Sequence, residues 1–320
     1  MRTGCLVAIV VLAAVIVPGA HADGLPVVGA VAGPVGVASS SGTVRYSTLS
    51  IRAGTVVVRT RTSDGQVLGS RFLRGRWSIP VVAYDGTPDG LSADGGTLAL
   101  VRPRVAFPRA RTAFAILNAR TLRVRESFTL RGDYSFDAIS PDGSALYFIE
   151  YLSAKDPTDY AVRVFDTRTG RILPEPIVDP DEPDEEMGGD PLTRAWSADR
   201  RWAYTLYDAG KHAPFVHALD TVGYEAHCID LDTLAGRGDL SDLTLSRGPR
   251  ALAVRSGDEQ LLAIDLETFR VSVPVQQTAP STRDGRGGSA WLRGTLSGVG
   301  ALLVAAAVLA LVRHRRMATS

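Results

Sequence analysis

Between residues 44 and 275 the chain alternates short apolar runs with tight polar turns, and it does so in five unequal copies. Each copy opens on an apolar residue and a Ser-led turn and runs into a short apolar stretch: LSIRAGTVVV from Leu49, LSADGGTLALV from Leu91, ISPDGSALYFI from Ile139, WSADRRWAYTL from Trp196 and LSRGPRALAV from Leu245. A second half follows each: TSDGQVL from Thr62, NARTLRV from Asn118, DTRTGRI from Asp166, DLDTLAG from Asp230 and DLETFRV from Asp265. Successive copies start 42 to 57 residues apart. A period of that size, carrying only strand and turn signals, is that of one four-stranded propeller blade.

The third copy predicts its elements most sharply. Phe136–Ser140 leads into Pro141-Asp142-Gly143, in which Pro presets the first turn angle, Asp bonds back to the backbone and Gly supplies the positive φ. Ala145–Ile149 is nearly continuous in apolar residues, as a strand covered on both faces must be. Tyr160–Phe165 alternates, Asp166–Gly170 turns again, and Arg171–Leu173 begins an outer strand. The recurring Asp94, Asp142 and Asp199 read as turn formers. The pattern predicts an all-β propeller of five recognisable four-stranded blades; a count of six or seven also fits, because copies one, four and five carry Arg-Ala-Gly, Ala-Asp-Arg and Arg-Gly-Pro at the turn. Blade one is compressed, and blade four has long connections around Asp208–Ala213. An isolated blade cannot bury both faces, so strands between Val27 and Tyr46, in the 23–43 segment and just beyond, are expected to complete the last blade and close the ring.

Ser-Pro-Asp-Gly before a strand and Asp-x-x-Thr-Gly after the next one resemble the bacterial extracytoplasmic propellers of the YVTN and Trp-Asp-repeat-like type, over roughly residues 44–275. The motifs are specific to the architecture. The resemblance implies a rigid binding disc, in a superfamily that also holds lactonases, peptidase-associated propellers and cofactor-dependent dehydrogenases.

The two ends of the chain predict an address. Met1-Arg2, an uncharged apolar stretch from Gly4 to Val17, and Ala20-His21-Ala22 fit a secretory signal peptide over 1–22. Leu296–Val312 is apolar or small throughout, lies behind Trp291 and Arg293, and is followed by Arg313-His314-Arg315-Arg316. A transmembrane helix over 293–312 is expected, with 313–320 as a cytoplasmic tail and the body outside the cell membrane. Gln276 to residue 292 reads as a flexible stalk.

Composition adds little to the fold but something to partners. Two lysines, Lys155 and Lys211, stand among 35 basic residues, and with abundant Ala, Gly and Val they suggest a high-GC bacterial genome. The formal net charge of +1 hides an asymmetry: residues 23–131 carry 15 basic against 6 acidic residues, and 132–289 carry 15 against 28. Arg102, Arg104, Arg109, Arg111, Arg120, Arg123, Arg125 and Arg131 concentrate the positive sector. Such a sector suits an anionic envelope component or an acidic protein partner. A net-acidic body without a recognisable binding module argues against nucleic acid.

Candidate chemistry is sparse. His212, His217, His227 and Cys228, with Asp220 in the same span, carry imidazole and thiolate ligands that suit zinc or copper, although their spacing is irregular. The acidic run Asp179–Glu186 offers oxygens for calcium, but its two prolines scatter them and its spacing is not that of an EF-hand, so a solvated insertion is the simpler reading. No Gly-x-Ser-x-Gly elbow, phosphate loop or His-Glu-x-x-His helix occurs, and no cofactor is implied. The expectation is a non-enzymatic surface module for binding or scaffolding. The alternative is a hydrolase or lactonase whose His217, His227 and Asp220 converge on the central funnel.

Overall fold

The structure, a computed structural model, describes residues 33–183 and 188–274. The predicted signal peptide, stalk, transmembrane helix and tail lie outside the described residues. Within them, no helix is long and apolar enough to cross a membrane.

The described chain is a β-propeller of five antiparallel sheets in sequence order, four with four strands and one with three. Blade 1 is β1 (Gly33–Ala38), β2 (Val44–Ile51), β3 (Gly54–Arg61) and β4 (Val67–Arg74). Blade 2 is β5 (Thr97–Val101), β6 (Arg111–Asn118) and β7 (Val124–Arg131). Blade 3 is β8 (Tyr134–Ile139), β9 (Ala145–Tyr151), β10 (Tyr160–Asp166) and β11 (Arg171–Ile172). Blade 4 is β12 (Asp190–Trp196), β13 (Trp202–Asp208), β14 (Phe215–Asp220) and β15 (Glu225–Asp230). Blade 5 is β16 (Leu243–Arg247), β17 (Ala251–Ser256), β18 (Glu259–Asp265) and β19 (Val271–Ser272).

One device builds the first turn of four blades. In blades 2, 3 and 4 the hydroxyls of Ser92, Ser140 and Ser197 accept the N–H that starts the next strand, from Thr97, Ala145 and Trp202, each at 2.9 Å. Asp94, Asp142 and Asp199 sit two residues on, take the serine O–H and accept a further backbone N–H, as expected of turn formers. In blade 1 the same job falls to Ser39, whose Oγ accepts from Val44 N–H at 3.1 Å. The first copy of the repeat therefore begins at Val37-Ala38-Ser39; the Leu49 phrase lies one hairpin later, across the β2–β3 connection.

The outer turns share a second device. Leu122, Gly170, Tyr224 and Phe269 each donate a backbone N–H to the carbonyl four residues earlier, on Asn118, Asp166, Asp220 and Asp265. All four have positive φ, between 55° and 67°. In blade 4 the second half of the repeat thus starts at Asp220, and the Asp230 phrase follows β15 and forms the 3₁₀ turn Asp232–Leu234. Because β1 pairs with β2 and β2 with β3, these two strands belong to the first blade and not to the fifth; residues 27–32 of the expected closing segment lie outside the described residues.

Apolar clusters sit in the seams between consecutive blades. Tyr46, Val57, Leu98 and Leu117 join blades 1 and 2; Phe114, Phe136 and Phe148 join 2 and 3; Tyr147, Val162, Tyr207 and Leu219 join 3 and 4; Leu206, Val216, Leu252 and Ile264 join 4 and 5. The strand pattern follows: middle strands read as continuous apolar runs because both faces meet a neighbour.

Candidate functional site

The antiparallel register gives the molecule two ends. The Ser-led turns and the outer turns lie at one, the turn end; the connections between second and third strands and between blades lie at the other, the loop end.

Blade 2 departs from the repeat at its inner edge, and that departure reaches across blade 3 to blade 4. Ser78 pairs with Val101 and Leu91 with Leu98, but the chain between them leaves the sheet as a short hairpin in which Val81 pairs with Pro88. Its tip crosses to blade 4, where Tyr84 N–H donates to Pro191 O at 2.8 Å and Asp85 N–H to Leu192 O at 3.1 Å. Val81, Val82, Ala83 and Asp89 of this hairpin are buried. Beneath it Arg194 of β12 donates to Thr205 Oγ1 at 2.8 Å and to both the carbonyl and the carboxylate of Asp137, with Asp89 3.9 Å away. One guanidinium thus joins the hairpin of blade 2, the inner strand of blade 3 and blade 4. Burial raises the Asp89 carboxyl to about 6 against the pull of Arg200 and Arg194. Burial works against the charge of Arg194, but Asp137, Tyr207 and Asp89 together outweigh it and its pKa rises.

The eight sequence-predicted arginines do not form one patch. Arg111 stands directly opposite Arg131 at the loop end, whereas Arg120, Arg123 and Arg125 lie at the turn end, about 23 Å along an eight-residue strand. Arg104 is buried: it donates to Asp133 through Nη2 at 2.6 Å and through Nε at 3.1 and 3.2 Å. Arg109 also grips Asp133, through its backbone N–H at 2.9 Å and Nε at 3.1 Å. Burial and the neighbouring Arg104 charge lower its pKa to about 10, against the pull of Asp133. The two are positioning residues for the loop Arg102–Ala110. That loop and β6 frame a groove of about 580 Å³ lined by Arg102, Arg109 and Arg111 and by Pro103, Val105 and Pro108. Val105 is 94% exposed.

The predicted metal ligands separate in a similar way. His217 and Cys228 are paired in register and face the blade 3 seam, while His227, opposite Ala218, faces blade 5. His217 is buried with neither ring nitrogen hydrogen-bonded, and burial lowers its pKa to about 4. Asp220 is the outer-turn aspartate of blade 4: it accepts from Val222 N–H at 2.9 Å and holds Arg201 through both carboxylate oxygens. His212 is exposed at the loop end and shares with Cys228 a groove of about 660 Å³ that also holds Asp190, Asp208, Asp230 and Asp232. His217, His227 and Asp220 therefore do not converge on the centre, and the funnel-hydrolase alternative loses the residues it rested on.

His227 meets a different partner, one that lay in a separate part of the sequence. After pairing with β10 at Ile177, the chain crosses to the edge of β15, where Ala226 N–H donates to Val178 O at 3.4 Å and Cys228 N–H to Asp179 Oδ2 at 2.8 Å. This brings Asp179 Oδ1 to 3.6 Å from His227 Nδ1. Asp181 joins them, and one ligand atom from each of the three lies within 4.8 Å of the others. Sequence spacing could not show this, because an edge pairing 48 residues apart creates it.

No protein-family model matches the chain, and no curated protein matches it. Solved structures similar in fold include Kuenenia stuttgartiensis hydrazine synthase, at 15% identity and TM-score 0.42, covering 76% of this chain and 71% of that one. A prolyl endopeptidase structure aligns at 13% identity and TM-score 0.44 over 78% of this chain, which spans 37% of the endopeptidase. The Myceliophteria thermophila Cps50 (Swd1) β-propeller domain aligns at 11% identity and TM-score 0.42, covering 76% and 67%. Each is a likeness in architecture, and the propeller assignment rests on the sheets themselves.

Proposed function

We propose that this chain is an exported, membrane-anchored binding module, and that its loop-end groove on blade 2 seats an acidic segment of a protein partner. The observation that carries the reading is the groove's composition: Arg102 and Arg111 beside the exposed apolar Val105 and Pro108, with Arg109 held in place by Asp133. Cationic heads next to an apolar loop suit a peptide that mixes carboxylates with apolar side chains better than a uniform phosphate polymer. Arg102 lies 5.1 Å from the Trp77 ring centroid, which restrains its long side chain before any partner arrives. The export and anchoring parts of the proposal stand on the sequence ends.

The test is proximity labelling from the full chain in its native host. Arg102→Glu with Arg111→Glu should abolish the labelled partner, and Arg120→Glu with Arg123→Glu, at the turn end, should leave it. Loss with the second pair and retention with the first sinks the proposal; co-sedimentation with purified wall polymer that depends on the groove would replace the protein partner by an envelope component.

A further inference from the structure

We infer that Asp179, Asp181 and His227 form a divalent transition-metal site, with zinc as its ion, on the outer edge of blade 4. The three side chains come from two independent sources, an interblade crossing and an edge strand. Asp179 is buried, and its carboxylate is aimed by two backbone donors: Cys228 N–H fixes Oδ2 at 2.8 Å and Asp181 N–H meets Oδ1 at 2.9 Å. His227 is aimed by aromatic rings from two blades. Trp202 stacks on it with centroids 6.1 Å apart, and Phe269 of the β18–β19 turn packs at 5.1 Å.

The imidazole thus faces a carboxylate without bonding to it. The 3.6 Å separation of Nδ1 and Oδ1 is longer than a good hydrogen bond, and among the described residues the His227 ring makes none. Two ligands sharing a tetrahedral zinc ion stand about 3.3 Å apart, given zinc–nitrogen and zinc–oxygen bonds of about 2 Å. The gap is therefore close to what an ion needs. One nitrogen and two carboxylates select zinc over calcium, which takes six to eight oxygens. A surface groove of about 380 Å³, lined also by Glu182 and Val271, gives the ion a way in. Three protein ligands leave the fourth position open to water or to an outside ligand.

Occupied, the site would pin the start of the acidic loop to β15 beside blade 5. Binding would then be stabilising, because the ion holds an arrangement the unfolded chain lacks.

The full chain, stripped with chelator and titrated calorimetrically with zinc alone, should take up one ion that Asp181→Asn and His227→Gln each weaken at least tenfold. His212→Ala, in the other groove, should leave that affinity unchanged. Cobalt in place of zinc should give the intense visible bands of a four-coordinate ion, lost in Asp181→Asn. Asp181 is exposed and its replacement keeps the fold, so the readout survives even if His227→Gln does not fold. Absence of stoichiometric uptake by the wild-type chain, or zinc affinity unaltered in Asp181→Asn, overturns the assignment.

Discussion

Tyr84 of blade 2 donates its hydroxyl to Asp190 Oδ1 of blade 4 at 2.7 Å, which closes a contact begun by the backbone bonds of the same hairpin tip. The pair ties two non-adjacent blades together over blade 3. Burial raises the Asp190 carboxyl, the Tyr84 hydrogen bond opposes that rise, and the Asp208 charge adds to it. Tyr84→Phe should therefore destabilise by about 1 kcal/mol. It should also move the Asp190 pKa further up. Urea unfolding reads the first effect and carboxyl NMR titration the second; an Asp190 pKa that stays put would detach the hydroxyl from the carboxylate.

Two arginine pairs in blade 2 should respond in opposite ways. Asp133 is buried between Arg104 and Arg109, so Asp133→Asn leaves two guanidinium groups without their carboxylate and should cost about 3–5 kcal/mol. Arg111 and Arg131 are exposed like charges directly opposite each other. Arg131→Glu turns that repulsion into a cross-strand ion pair and should gain a few tenths of a kcal/mol. Equal urea midpoints for the two variants would contradict the division between structural and surface arginines.

That division marks how far the sequence could be read. The period, the blade count and the turn chemistry were legible because they are local: a Ser, an Asp two residues on and an apolar run make one hairpin whatever surrounds it. Ser39-Ser40-Ser41-Gly42 escaped notice because it lacks the aspartate, and Leu49-Ser50 mimicked its beginning. The blade 2 hairpin was hidden by Pro80, Gly86, Pro88 and Gly90, which read as an ordinary loop. The meeting of Asp179 with His227 depends on which edge an extended segment chooses, and the buried fate of Arg104 on a carboxylate 29 residues away. Neither leaves a mark in local pattern.

The outer turns offer a stability test of the repeat. Tyr224 occupies the position that Gly170 fills in blade 3, at φ 61° against 67°, and it is 42% exposed. A left-handed conformation costs a side-chain-bearing residue about 1–2 kcal/mol, which glycine avoids. Tyr224→Gly should accordingly raise the urea midpoint, by an equivalent of about 1 kcal/mol after the loss of its contact with Tyr147. Leu122 has the same φ class but is buried in the blade 1–2 seam, so Leu122→Gly should lose more in burial than it gains in backbone relief. Destabilisation by Tyr224→Gly would show that the turn is held by the tyrosine itself.

Acidification sets two buried groups against each other. Burial lowers the His217 pKa from 6.5 to about 4, so between those values the unfolded chain binds a proton that the folded chain refuses. Stability then falls as pH drops through that window, by about 3 kcal/mol when complete. Asp89 behaves oppositely. Its carboxyl is raised by burial from 3.8 to about 6, so the folded state takes up a proton first and stability rises as pH falls from about 6 towards 3.8. In the wild-type chain the two slopes offset. Relative to wild type, His217→Leu should gain stability between pH 7 and pH 4.5, and Asp89→Asn should lose it over the same interval. Urea midpoints at the two pH values decide the matter: if His217→Leu tracks wild type, the buried imidazole is not the group that resists protonation, and if Asp89→Asn tracks it, the carboxyl of the blade 2 hairpin is already ionised at both.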